Sequence, residues 1–456
     1  MSTHGIAVAA GASPTVLLDS VTIATELAGA PFACLKGAGD VTVQLKGKNY
    51  LEAGNLGKCG LVAPSDGTLT IEGVEAGASL EAIGSVLNAG IGASGASGAS
   101  GGDSACSSIV IQNAKVTARG GMMAAGIGSG YAGSGFSTVS DIIIRNSTVV
   151  AEGGTTAAGI GSGYGKLGSA ASCITVENSD VTATGGAGAP GIGSGYAHTG
   201  DSVASDIVIA GGTVAATGGD SLRGGSGATE ESVIGGGAGV GSGWAEAGST
   251  TARNIVVSGG TVTATGGADA EGIGSGAGIG SGSALVGASS AAGIRITGGT
   301  VVATGGTTTR AGAGPEALPG VGAGSGTTRS AEDNAIAPAE GLWANAWKGA
   351  SVDGAKQFVA NASQASDLAG VEDAYMKAVL TPAGEQGGAD DGTQGDAATK
   401  PLVGGSDATV LAATGDNALL PGAVLALALG ALAALVLASG AARFPRRGKN
   451  AGRSLR

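Results

Sequence analysis

The sequence predicts an all-β fold: a right-handed parallel β-helix built from glycine-rich coils of 32–33 residues. Three observations carry this. Apolar triplets recur at Ile109-Val110-Ile111, Ile142-Ile143-Ile144, Ile174-Thr175-Val176, Ile207-Val208-Ile209, Ile255-Val256-Val257 and Ile294-Arg295-Ile296. A second strand signal follows each triplet, at Val116, Val149, Val181, Val214, Val262 and Val301, with spacings of 33, 32, 33, 48 and 39 residues. A period in this range marks a stacked array, not a set of independent domains. Within the strand signals apolar and polar residues alternate, as half-buried strands require, and the unit is too broken by glycine for a helix pair.

Composition agrees. Glycine supplies 93 of 456 residues, with only 4 Phe, 3 Trp and 5 Tyr, so a conventional enzyme with a thick aromatic core is excluded. Collagen is excluded because the glycines keep no three-residue period and only 11 Pro are present. Disorder is excluded because 43% of residues are hydrophobic and they cluster in short runs.

The elements follow in chain order. Residues 1–13 are expected to be unstructured; no Lys or Arg precedes Lys36 and no apolar core is present, so this is not a secretory signal peptide. Because the other end of the chain demands export, the start is expected to be truncated or mis-assigned. The solenoid is expected over residues 14–326. Its first coils are irregular, with strand-like segments at 16–23, 41–45 and 68–71, a degenerate glycine motif at 89–92 and a Ser/Gly/Ala loop at 93–102. In the regular coils a two-residue corner joins the two strand signals: Asn113-Ala114, Asn146-Ser147 and Asn178-Ser179, then Gly211-Gly212, Gly259-Gly260 and Gly298-Gly299. Asn and Gly exchange there because both tolerate the left-handed conformation. Each coil ends on Gly-Ile-Gly-Ser-Gly or a close variant. The parallel crossover predicts right-handed winding around a thin column of Ile and Val, and the long 48-residue spacing places an insertion near residues 220–231, on one side of the column.

After residue 326 the repeat stops. Residues 327–381 read as a cap, with Trp343 and Trp347 as anchors and a helix from Ser366 to Leu380 presenting Leu368, Val371, Tyr375 and Val379 on one face. Residues 382–410 read as an acidic flexible linker that reaches roughly 100 Å when extended.

Charge separates the two ends. The net charge is −12. Up to Thr414 there are 17 basic and 34 acidic residues, a net −17, whereas six basic residues crowd positions 443–456. An acidic body argues against nucleic acid as a partner. Residues 417–442 contain no charge, and as a transmembrane helix they would extend about 39 Å, enough for a bilayer core of roughly 30 Å. Arg443, Arg446, Arg447 and Lys449 follow, which keeps that end cytoplasmic.

Immediately before the span stands Leu411-Ala412-Ala413-Thr414-Gly415. Pentapeptide, apolar span and basic tail, in this order over residues 411–456, resemble the sorting signal of sortase-anchored Gram-positive surface proteins. The usual second residue of that LPxTG-like signal is Pro; Ala412 matches the LAxTG variant of high-GC species. The resemblance implies cleavage between Thr414 and Gly415, transfer of Thr414 to peptidoglycan, and a cell-wall-anchored, extracellular body. The alternative is a plain membrane anchor. Residues 14–326, through their Gly-Ile-Gly-Ser-Gly copies and Thr-Val-x-Ala-Thr-Gly-Gly runs, also resemble the β-helical carbohydrate-binding-like domains of gut bacterial surface proteins.

No catalytic, metal or cofactor site is expected. His4 and His198 have no repeated partner, and His198 falls in a corner loop. Gly272-Ile273-Gly274-Ser275-Gly276-Ala277 matches a dinucleotide fingerprint by letters only, with no helix pattern after it. Asp141 and Asp206 lie two coils apart, about 9.6 Å, too far to share one Ca²⁺. Cys34, Cys59, Cys106 and Cys173 make no metal spacing; Cys34 and Cys59 are either bridged across neighbouring rungs or buried filler. The aromatics say more. Tyr131, Tyr164 and Tyr196 each follow Gly-Ile-Gly-Ser-Gly, and Trp244 follows Gly-Val-Gly-Ser-Gly. Stacked coils would align the four as a partly exposed ladder, either a candidate carbohydrate-binding stripe or a self-stacked staple over a glycine-rich corner. The sequence therefore favours a wall-anchored glycan- or matrix-binding surface protein. A purely structural stalk is the alternative. A polysaccharide lyase or hydrolase is least favoured, because charges never recur in register.

Overall fold

A computed structural model describes residues 5–25, 29–54, 58–96, 102–223, 233–270, 272–309, 315–350, 355–361, 366–367 and 375–382. These belong to one compact unit, Met1–Gly388. The 411–415 pentapeptide, the 417–442 span, the basic tail, His4 and the linker beyond residue 382 lie outside the described residues. Every regular element among the described residues is a strand, so no described helix is long and apolar enough to cross a membrane.

The strands stack in parallel. A ten-stranded sheet runs through Ile6–Val8, Phe32–Cys34, Leu61–Val62, Ile91–Gly92, Ile127–Gly128, Ile160–Gly161, Ile192–Gly193, Val240–Gly241, Ile279–Gly280 and Val321–Gly322. The triplets and the valine strands form further parallel ladders. Ile109 pairs with Ile142, then Ile174, Ile207 and Ile255. Val116 pairs with Val149, then Val181, Val214, Val262 and Val301. These columns point inward and are buried. Each corner holds a left-handed residue, but Asn and Gly supply it one position apart: φ is 52°, 48° and 44° at the first corner residue, Asn113, Asn146 and Asn178, and 79°, 83° and 82° at the second, Gly212, Gly260 and Gly299, with Gly212 standing opposite Ser179.

The glycine motif turns the coil so tightly that backbones of successive coils touch. At Gly161 φ is 138°, and a Cβ there would overlap the carbonyl oxygen of Gly193 in the next coil. The motif serine points inward, where the coil is too narrow for an aliphatic side chain. Ser129 and Ser137, Ser162 and Ser169, Ser194 and Ser202, and Ser281 and Ser289 form buried hydroxyl pairs at 2.8–2.9 Å. The hydroxyls also accept from glycine N–H groups one coil on, as Ser162 Oγ does from Gly195 at 3.0 Å. A buried polar column satisfied in this way costs little.

Several expectations are corrected. The start is not unstructured throughout: Ile6–Val8 pairs in parallel with Phe32–Cys34, because Val8 enters the core. Parallel stacking continues past residue 326, with Arg329–Glu332 on Ser289–Ala292 and Ala335–Ile336 on Arg295–Ile296. In place of a helix reaching Leu380, Tyr375–Pro382 is a strand, antiparallel both to Thr300–Thr304 and to Leu342–Gly349. Lys356–Asn361 pairs with the other edge of Leu342–Gly349. The last coil offers unpaired backbone groups along its edge, and a strand satisfies them where a helix would not. Leu368 and Val371 lie outside the described residues. Two short antiparallel hairpins interrupt the parallel order, Leu222–Arg223 with Val233–Ile234 and Thr307–Thr309 with Pro315–Ala317. Both lie in insertions outside the rungs. Residues 224–232, the centre of the first insertion, are outside the described residues.

Candidate functional site

The turn after each glycine motif builds one edge of the solenoid. Parallel bridges join Ala96, Ala132, Gly165, Ala197, Ala245 and Ala284 from coil to coil. The preceding residues, Tyr131, Tyr164, Tyr196 and Trp244, therefore stand in one column. Tyr131 and Tyr164 stack with centroids 5.1 Å apart and planes at 25°; Tyr164 meets Tyr196 edge-on at 5.0 Å and 84°.

The ladder is open at one end and closed at the other. Tyr131 and Tyr164 are half-buried, but Tyr196 is 6% exposed and Trp244 0%. This corrects the expectation of four partly exposed rings. The insertions are the cause: Leu222, Ile234 and Ile273 fold back onto Tyr196 and Trp244 and form a second hydrophobic cluster separate from the main core. Ile273 of the fingerprint-like segment thus serves as packing.

Further side chains collect at the open end. The Tyr131 ring lies over Gly133, and Phe136, 47% exposed, lies against Gly168. Leu167, beside them in the turn, is 45% exposed. Two residues past the ladder run Lys166, His198 and Glu246, a second column alongside the rings. His198 Nδ1 is 2.7 Å from Glu246 Oε2, and Tyr196 Oη donates to the same oxygen. The His198 ring lies 6.4 Å from Tyr164 at 30°. Burial, then the Glu246 carboxylate, pushes the Tyr196 phenol far above its ordinary value. Burial pushes Tyr164 up to about 12. The edge thus combines flat apolar rings with a fixed acceptor and a fixed imidazole.

This polar group is not legible as a motif, because neither His198 nor Glu246 recurs from coil to coil. The available signal was positional: His198 follows Tyr196 by two residues, and Glu246 follows Trp244 by two.

The remaining candidates stay apart. All four cysteines are free. Phe32 faces Leu61, so Cys34 stands opposite Ala63 and four residues out of register with Cys59. Burial pushes the Cys34 thiol up to about 11 and those of Cys59 and Cys106 to about 12. Cys173 is exposed in a left-handed corner, flanked in the same corner column by Asp141 and Asp206. Among the described residues no three His, Cys, Asp or Glu converge as a metal site.

A family model described as a beta helix repeat matches residues 109–131, 142–164 and 174–196. Each match begins on a triplet isoleucine and ends on a ladder tyrosine, so the chain carries a β-helix repeat domain and the first three rings close its repeats. No curated protein and no solved structure matches the chain.

Proposed function

We propose that this chain is a wall-anchored, extracellular surface protein whose β-helix binds glycans, without catalysis, at the open half of the aromatic edge. One observation carries the binding role: Tyr131 and Tyr164 leave ring surface uncovered in one stacked column, and the Tyr164 ring lies 6.4 Å from the ring of His198, which is itself paired with Glu246. Pyranose rings present C–H faces that stack on aromatic rings, while their hydroxyls seek a carboxylate acceptor and an imidazole. The wall anchor rests on the order of Leu411, Ala412, Ala413, Thr414 and Gly415, the apolar span and the basic tail, with sortase and peptidoglycan as partners.

The closed half, where Tyr196 and Trp244 are buried, favours a second reading, a structural stalk in which the ladder only staples coils together. A glycan array probed with the full chain separates the two. Binding that is lost in the Tyr131→Ala/Tyr164→Ala variant establishes the first. A parent that binds no glycan leaves the stalk.

A further inference from the structure

The outer face of the valine ladder carries threonines at fixed positions. Thr213 pairs with Thr261 and then Thr300, and Thr217 with Thr265 and then Thr304, with Thr263 in the middle rung between them. The alternating residues Val214, Val262, Ala264 and Val301 are buried, so the threonines point away from the core, and Thr213, Thr217, Thr261 and Thr263 are exposed. In-register stacking repeats them about every 4.8 Å from rung to rung.

The terminal strands continue this face. Tyr375–Pro382 lies against Thr300–Thr304, and Leu342–Gly349 lies against Tyr375–Pro382. Ala344, Ala346, Met376, Ala378 and Leu380 enter the core, which leaves Trp343, Asn345, Trp347, Lys377 and Val379 on the outer side, each half-buried. Trp343 and Trp347 stand four residues apart on one strand, a separation of about 13 Å. Lys377, opposite both Val302 and Trp347, holds its Nζ 5.2 Å from the Trp347 ring centroid. Thr381, opposite Trp343, keeps a buried hydroxyl with no hydrogen-bond partner among the described residues. Val359, 51% exposed on the next strand, stands opposite Asn345 and extends the apolar surface. Among the described positions that share this face from the Thr213 rung onward, Lys377 carries the one charge.

We propose that this face is a second polysaccharide site, for an extended, unbranched and uncharged chain of pyranoses. The half-buried indoles of Trp343 and Trp347 offer platforms for sugar C–H faces, and their separation exceeds one sugar, so the ligand is a polymer. The threonine rows offer hydroxyls that both donate and accept, at an interval that a ligand of regular repeat can follow and the irregular surface of a globular protein cannot. A sugar hydroxyl reaching Thr381 gains a hydrogen bond that the described chain leaves unmade. A polyanion is disfavoured by a body with net charge −12 and a face with one lysine. A lipid surface calls for a basic, strongly apolar face, which hydroxyl rows do not supply. The face stands on the valine strands and not on the turn that carries Tyr131 and Tyr164, so it holds or fails apart from the aromatic edge.

Co-sedimentation of the full chain with microcrystalline cellulose and with chitin tests the proposal. The chain carries Tyr131→Ala/Tyr164→Ala throughout, so that the result does not depend on sugar binding by the ladder. This chain is expected to sediment with at least one of the two polymers, and Trp343→Ala/Trp347→Ala to weaken that binding by about tenfold. Circular dichroism checks the fold of the tryptophan variant. If it fails to fold, Thr263→Lys decides, since that side chain is exposed on the same face and its replacement is expected to lower binding without touching the core. No sedimentation with either polymer overturns the proposal, as does undiminished binding by the folded tryptophan variant or, in its place, by Thr263→Lys. A tryptophan variant that loses binding to phosphatidylglycerol vesicles while keeping its binding to the polymers would make the face a membrane contact and overturn it as well.

Discussion

His198 Nδ1 lies 2.7 Å from Glu246 Oε2 although 48 residues separate them. That separation is one coil plus its insertion, so stacking makes the two residues neighbours on adjacent rungs. The contact, with the Tyr196 hydroxyl bonded to the same carboxylate, marks the point where the ladder passes from open to closed.

Alkaline pH is expected to loosen this region. Burial pushes Tyr164 up to about 12, and burial with Glu246 pushes Tyr196 further. In the unfolded chain both titrate near 10. Their folded values are raised, so the unfolded state releases protons that the folded state retains. The associated stability is intact below about pH 10 and is lost as pH climbs through 12. Denaturation midpoints at pH 9 and pH 11 should show a fall in the parent and a smaller one in Tyr164→Phe/Tyr196→Phe. Equal falls would place the loss in other groups.

The ladder residues should not respond alike to truncation. Trp244→Ala empties a site in the cluster formed with Ile234, Leu222 and Ile273, at a cost of about 3–5 kcal/mol. Tyr131→Ala removes a half-exposed ring stacked on one neighbour, at about 1 kcal/mol. Urea midpoints measure the difference. Comparable losses at both positions would contradict the open-and-closed division of the edge.

What the sequence revealed and what it hid follow from one distinction. Contacts repeating at a fixed period, such as Ile109 on Ile142 or Val116 on Val149, are legible because period and register are the same quantity. The shared column of Tyr131, Tyr164, Tyr196 and Trp244 is legible for the same reason. Their burial was not, because Leu222 and Ile234 come from an insertion that belongs to no repeat. The serine pairs were hidden differently: a buried hydroxyl needs a partner, and Ser129 finds Ser137 only across the narrow turn. The end of the solenoid misled most. Leu368, Val371, Tyr375 and Val379 keep helical spacing, yet an open sheet edge captures Tyr375–Pro382 as a strand.

Thiol chemistry gives an independent check on the coil geometry. Cys34, Cys59 and Cys106 are buried and their thiols are pushed up to about 11, 12 and 12, so they stay protonated and unreactive near neutrality. Cys173 is exposed. A chromogenic disulfide reagent should titrate one thiol in the native protein and four in denaturant. Fewer than four in denaturant without reductant would reveal a bridge that the register of Cys34 and Cys59 forbids.

The glycine motif permits a comparison that isolates stacking from backbone conformation. Gly161 and Gly322 hold the same place in their coils and nearly the same φ, 138° and 147°. A side chain at either position meets the same conformational strain, about 1–3 kcal/mol. Their surroundings differ. A Cβ on Gly161 overlaps the Gly193 carbonyl oxygen of the following coil, a backbone atom locked in its own rung. Gly322 is the last strand of its sheet, and the nearest atom to a Cβ there is Pro319 Cγ at 3.2 Å, a side-chain atom in the preceding turn. Gly161→Ala must therefore push two coils apart as well as strain its own turn, adding about 1–3 kcal/mol of overpacking. Gly322→Ala carries the strain with a minor adjustment. Thermal melts of the two variants should show the interior substitution as the more damaging. If both cost the same, backbone conformation alone explains why glycine occupies this position; if the interior one costs more, the motif is set by the close stacking of one coil on the next.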